Sequence, residues 1–157
     1  MSEDLKHITV DDVFESFEFL DDWEDRYRYI IDLGKRLPEM EDREKTRETK
    51  VEGCVSQVWL VAHHDPASPD RLIFVADSDA HIVRGLVAIL LIVYSGKTAQ
   101  EILEIDAREL LGKLDLEGHL SPSRSNGLFS MVRRIRDIAA RDDAATAAGG
   151  AQGAAQS

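Results

Sequence analysis

Cys54 is the one cysteine of the 157-residue chain and the side chain best suited to covalent chemistry. It follows Gly53 and leads into Val55-Ser56-Gln57-Val58-Trp59-Leu60, a run rich in β-branched and aromatic residues. A thiol so placed sits on a flexible approach to a rigid element, where its sulfur can be offered to a partner. The plainer reading of a lone cysteine is a small buried hydrophobe. Other chemistries have less behind them. His63-His64 is the only histidine pair, and neighbouring side chains on a strand point to opposite faces, so two adjacent imidazoles make a poor chelate. The chain has no Cys-x-x-Cys, no His-Glu-x-x-His and no Walker-type glycine loop. Ser123 and Ser125 lack the Gly-x-Ser-x-Gly elbow of a serine nucleophile. Cys54 with a distant histidine would make a thiol hydrolase, a reading that spacing alone leaves open.

A chain of this length with 43% hydrophobic residues suits one domain with a real core. The formal net charge of −11 and a pI near 4.8 argue against a general nucleic-acid binder, which needs a cationic surface. A single cysteine cannot form an internal disulfide, and Met1 to Lys6 lack the basic start and apolar core of a signal peptide. The longest apolar run, Leu86 to Tyr94, is far short of the roughly 20 residues that a bilayer requires. A soluble, cytoplasmic protein with no membrane or nucleic-acid partner is expected. The first fifty residues hold 16 acidic and 9 basic side chains. They read as a solvated face, or as a docking surface for a basic partner that would act mainly on association rate.

Several elements must position the thiol. Thr9 and Asp12 form a capping box for a first helix with Val10, Val13, Phe14 and Phe17 on one face. Asp22 caps a second, with Trp23, Tyr27, Ile30 and Ile31 facing inward, and Pro38 bars its continuation. Residues 39–50 are polar and read as an exposed connection. Residues 55–62 and 71–76 predict an antiparallel hairpin around the turn-forming residues 65–70. A third strand is expected near Lys50 or before it, because one hairpin is not stable alone. Ser78 or Asp79 is expected to cap a central buried helix over residues 81–95. Gly85 in its interior suggests a close backbone contact, and Gly96 supplies its stop. Thr98 and Glu101 form a second capping box, and Asp106 starts a fifth helix with Leu110, Leu111, Leu114 and Leu116 on its apolar side. Residues 120–127 read as a hydroxyl-rich loop leading to a last helix. That helix buries Leu128, Met131, Val132, Ile135 and Ile138 and shows Arg133, Arg134, Arg136 and Arg141. From Asp142 onward the chain has nothing large to bury, so a single domain over 1–141 and a disordered Ala/Gly-rich tail over 142–157 are expected.

Gly53-Cys54-Val55-Ser56-Gln57-Val58-Trp59 resembles the cysteine-loop signature of the SufE family, sulfur-accepting partners of cysteine desulfurases. The likeness extends to Trp23-Glu24 through Leu33-Gly34-Lys35-Arg36-Leu37-Pro38. It continues in Asp77-Ser78-Asp79-Ala80 with Ile82-Val83-Arg84-Gly85-Leu86, and in Leu120 to Leu128. It implies an α+β fold, a small antiparallel sheet packed against helices as in SufE and IscU. Cys54 then stands where the family accepts persulfide sulfur, with Gly53, Ser56 and Gln57 in the same loop. Asp79, Arg84 and Arg124 fall in blocks expected near that loop or the desulfurase interface. The implied partners are a SufS-type cysteine desulfurase and an iron–sulfur scaffold that receives the sulfur. No cofactor or metal is implied on this chain, because the pyridoxal phosphate (PLP) belongs to the desulfurase. Whether the chain also forms a weak homodimer is left open. Val55 departs from the polar residue common after the family's cysteine.

Physically, such an acceptor needs only a mobile, accessible thiol whose thiolate attacks a donor persulfide. An apolar lining near Trp59 and the central helix would shelter the product. It would also raise the resting thiol's pKa, making a cysteine that is unreactive until a partner draws it out. The competing class is an iron–sulfur scaffold or metal-binding protein of the IscU-like fold. One cysteine per chain cannot hold a cluster without help from another chain.

Overall fold

The computed structural model describes Leu5, residues 7–54 and residues 56–156, with side chains described as far as Thr146. Among these residues six α-helices surround a three-stranded antiparallel sheet, an α+β fold. The order is α1 (Val10–Phe19), α2 (Trp23–Gly34), β1 (Val58–His64), β2 (Arg71–Ser78), α3 (His81–Tyr94), β3 (Lys97–Thr98), α4 (Ala99–Glu104), α5 (Ala107–Lys113) and α6 (Pro122–Gln156).

The helix starts follow local hydrogen bonding. Thr9 and Thr98 each close a capping box, with Asp12 and Glu101 returning the bond, and Asp22 and Asp106 cap α2 and α5 through their carboxylates. These bonds satisfy backbone N–H groups that the first helical turn leaves without partners. The α1–α2 corner is held by Arg26, whose guanidinium donates to the carbonyls of Leu20 at 2.7 Å and Phe17 at 2.8 Å.

β1 pairs over its full length with β2, Val58 opposite Ser78 and His64 opposite Leu72. The hairpin and its turn are therefore as expected, but the first strand begins at Val58, three residues later than its composition suggests. The third strand is β3, on the far edge of β2, where Arg71 pairs with Thr98. Near Lys50 there is only an isolated bridge to Trp59. Val55 itself lies outside the described residues.

α3 fills the centre. Ten of its fourteen residues are buried, and it packs most extensively on α2, and also on β2 and α6. Gly34 and Gly85 permit the α2–α3 crossing: a Cβ on Gly85 would lie 2.2 Å from the Ile30 carbonyl oxygen. The close approach expected at Gly85 is thus a helix-on-helix contact. The N-cap of α3 is Ala80, without a side-chain bond, rather than Ser78 or Asp79. Asp77 and Ser78 still belong to β2, and Asp79 is engaged elsewhere, as described below. Residues 39–50 are less uniformly exposed than their polarity suggests: Met40 is buried in the core and a short 3₁₀ turn spans Asp42–Glu44.

The hydroxyl-rich stretch 120–127 is mostly helix. α6 begins at Pro122, Ser121 Oγ accepts from Arg124 N at 3.2 Å, and the Ser121 carbonyl accepts from Ser125 N at 2.9 Å. Proline at the first helical position costs no hydrogen bond, which explains the early start. The expected tail from Asp142 falls largely on residues 147–157, whose side chains lie outside the described residues. Asp142 itself is within α6, 2.9 Å from His64 Nε2.

Candidate functional site

Cys54 stands on a short loop whose base is closed by backbone pairing: Val51 N donates to Val58 O at 2.8 Å and Leu60 N to Thr49 O at 2.9 Å. The loop residues thus cannot slide along the strand, and the thiol is held at the outer end of a closed stem. Gly53, immediately before it, has φ +88, a conformation that disfavours any residue with a Cβ.

The thiol rests on α6. Its Sγ donates to the Gly127 carbonyl at 3.5 Å, and a Cβ added to Gly127 would be 3.5 Å from Sγ, so the absent side chain leaves room for the sulfur. Cys54 is half-buried, and desolvation pushes its thiol pKa above the ordinary value. The direction is the one expected for a sheltered thiol.

Beside Cys54 is a cavity of about 250 Å³. Val83 and Leu86 of α3 with Leu128 and Met131 of α6 form its apolar wall. Ser56, Ser121, Ser123 and Arg124 supply its polar rim. A sulfur in this space would meet hydrocarbon on one side and hydroxyl and guanidinium donors on the other. Two residues of the candidate set, Ser56 and Arg124, therefore come together with Cys54. Trp59 does not: it lies outside the cavity lining, and the Lys45 ammonium sits 5.4 Å from its ring centroid. The central helix supplies the shelter expected of it, and α6 takes the place expected of Trp59.

Gln57, Asp79 and Arg84 act at one remove. Asp79 Oδ1 accepts from Gln57 N at 3.1 Å, and Asp79 N donates to Gln57 O at 3.3 Å. This reciprocal pair ties the second limb of the loop to the β2–α3 junction, which explains why Asp79 is not free to cap α3. Arg84 Nε is 3.2 Å from Asp77 Oδ1, without hydrogen-bond geometry, and Lys45 Nζ is 3.0 Å from Asp77 Oδ2. Arg84 thus balances a carboxylate beside the strand and does not line the cavity.

Gly127 and Met131 are site residues that the sequence reading missed as such. Their signal is the i, i+4 spacing from Ser123, which puts all three on one face of a helix once residues 122–127 are recognised as helical. His63 and His64 lie apart in function as well as direction: His63 Nε2 is 2.9 Å from Glu44 Oε2, and His64 Nδ1 is 2.7 Å from the Pro69 carbonyl oxygen. Among the described residues no three His, Cys, Asp or Glu side chains gather in a way that could hold a metal ion. No described helix is long and apolar enough to cross a membrane.

The fold and the site together define an α+β domain that presents one thiol from a closed loop onto a helix face. The family model for SufE, described as an Fe-S metabolism associated domain, matches residues 11–139. An uncharacterized SufE-like protein of Rhizobium meliloti is 56% identical over 132 residues, covering 83% of this chain and 94% of that protein. Another from Rhizobium etli is 58% identical over 133 residues, covering 83% and 89%. A solution structure of a hypothetical protein from Thermus thermophilus shares the fold, with a TM-score of 0.68 at 17% identity over 84% of this chain and 93% of that one. The chain belongs to the SufE family, and its domain is one associated with iron–sulfur metabolism.

Proposed function

We propose that this protein is a sulfur relay for iron–sulfur cluster assembly. Cys54 takes persulfide sulfur from a SufS-type cysteine desulfurase and passes it to a scaffold. The observation that carries this reading is the half-buried thiol on a closed loop, poised over a cavity with an apolar wall and a rim bearing Arg124. A storage site for a persulfide needs that combination, because the bound sulfur must be kept from water and oxidants yet reach a second protein.

The transfer balances without an external oxidant. The Cys54 thiol gives up its proton, and the thiolate attacks the outer sulfur of the donor persulfide. A Cys54 S–S bond forms as the donor's S–S bond breaks, and the donor cysteine leaves as a thiolate. Arg124, on the cavity rim, is assigned to stabilise the negative charge on the Cys54 sulfur in the encounter complex. Ser56 and Gly53 shape the loop, Gln57 and Asp79 tie its second limb, and Arg84 supports the junction that holds Asp79. The chemistry requires no cofactor or metal on this chain, and PLP is expected on the desulfurase. The relay is assigned to residues 1–141 in the cytoplasm.

Turnover tests the reading. A SufS-type desulfurase should release alanine from L-cysteine faster when the intact protein is added, and Cys54→Ser should abolish the gain while melting like the parent. Equal stimulation by Cys54→Ser would refute a covalent relay. An iron–sulfur scaffold, the competing assignment, would need cluster ligands from a second chain, since this one offers a single thiolate.

A further inference from the structure

We infer that Arg134 is the positioning residue that keeps Cys54 docked on α6, by pinning the stem of the cysteine loop to that helix. Arg134 was expected to be a solvent-facing arginine of the last helix. Instead it is half-buried, and its guanidinium donates to two backbone carbonyls, Lys50 O at 3.3 Å through Nη1 and Glu48 O through Nη2.

The turn over residues 47–49 ends in the single bridge of Lys50 to Trp59, and that pairing explains the choice of acceptors. Thr49 O points toward β1 and accepts from Leu60 N. The pairing with β1 uses Thr49 O and Val51 N, and among the described residues neither Glu48 O nor Lys50 O bonds to β1. These two carbonyls are left for other donors, and a planar guanidinium can span two such oxygens where an ammonium presents only a point charge. The stem is therefore held by two partners, β1 and Arg134.

Successive contacts then run up one face of α6 as the chain approaches the thiol. Arg134 meets Glu48 and Lys50, Ser130 lies under Gly53, and Gly127 lies under Cys54. Residues 127, 130 and 134 share that face by helical spacing. Among the described residues, the loop meets α6 through the Sγ contact and packing at Gly53. Its registration on Gly127 thus depends on the stem below it. Opening the stem frees the thiol, and keeping it closed holds Cys54 against Gly127.

The test needs no desulfurase, so it stands whether or not the relay reading holds. The rate of Cys54 alkylation is measured in the folded full chain under conditions where global unfolding does not contribute, with thermal melts alongside. Arg136 is the internal control. It lies on the same helix and also donates to two carbonyls, Leu103 O and Ile105 O, both at 3.2 Å, but on an element remote from the loop. Arg134→Ala should raise the alkylation rate about tenfold, the opening expected when hydrogen bonds from a charged donor are lost. Arg134→Lys should fall between, and Arg136→Ala should leave the rate unchanged while lowering the melting temperature by a similar amount. If Arg134→Ala does not fold, Arg134→Lys against Arg136→Lys carries the same comparison. Wild-type rates in folded Arg134 variants, or an equal rise in the Arg136 variant, would overturn the inference.

Discussion

At the crossing of α2 and α3, a Cβ on Gly85 would lie 2.2 Å from the Ile30 carbonyl oxygen and one on Gly34 would lie 2.6 Å from Gly85 N. At the cysteine loop, a Cβ on Gly53 would meet, among the described residues, the Ser130 side chain, 2.5 Å from its Oγ. Both regions use glycine for close approach, but the obstacles differ in kind. In the core the neighbour is the backbone of the facing helix, which can move only if the two helices separate. At the loop the neighbour is one hydroxymethyl group, and the constraint comes as much from the φ of +88. The contrast separates a rigid platform from a looser loop: the α2–α3 crossing fixes the one, and the other holds the thiol on side-chain contacts that the proposed relay would need a partner to displace.

Substitution at the two glycines should separate the roles. Gly85→Ala has the largest expected effect. Overpacking costs typically 1–3 kcal/mol and occasionally more, and here it is set against backbone, so a net loss of about 3 kcal/mol is expected despite about 1 kcal/mol gained in helix propensity. Chemical denaturation would show it as a fall in midpoint, with Cys54 reactivity unchanged in the protein that remains folded. Gly53→Ala should lose less, about 1–2 kcal/mol from the unfavourable φ, and should respond differently. The loop can leave α6 to relieve the strain, so Cys54 alkylation should accelerate more than the melting temperature falls. If Gly53→Ala instead behaved like Gly85→Ala, the loop would have to be counted as part of the rigid core.

The smallest effect concerns pH. Burial raises the Cys54 pKa in the folded chain. The folded state therefore holds its thiol proton more tightly than the unfolded state does. The stability this contributes is complete below the unfolded thiol's pKa and is lost as pH rises through the folded value. Alkylation of the native protein should show a midpoint above that of the same cysteine in denaturant. Cys54→Ala should flatten the small alkaline decline in stability. A native midpoint at or below the unfolded one would mean that the resting thiol is activated rather than sheltered.

Much of the fold was legible where the physics is local. The caps at Thr9, Asp22, Thr98 and Asp106 depend on atoms within three residues, and all four form. The features that were harder to read depend on distant chain. Asp79 looks like a helix cap until Gln57, 22 positions earlier, takes its carboxylate. β3 is two residues long and carries no alternation to detect. Residues 120–127 have the composition of a loop, and their helical start rests on proline at the first position together with Ser121 behind it. The thiol was legible from its neighbours in sequence. Gly127 and Met131, which bed and shelter it, lie more than seventy residues away, and only the packing of α6 brings them there.

Whether Cys54 carries the sulfur is read from intact mass. The protein is incubated with a SufS-type desulfurase and L-cysteine, then weighed before and after reductant, beside Cys54→Ser. A gain of at least one sulfur atom, lost on reduction and absent from the variant, is expected. An adduct that persists in Cys54→Ser, or none in the parent beside a persulfide-charged cognate desulfurase, would contradict Cys54 as the carrier.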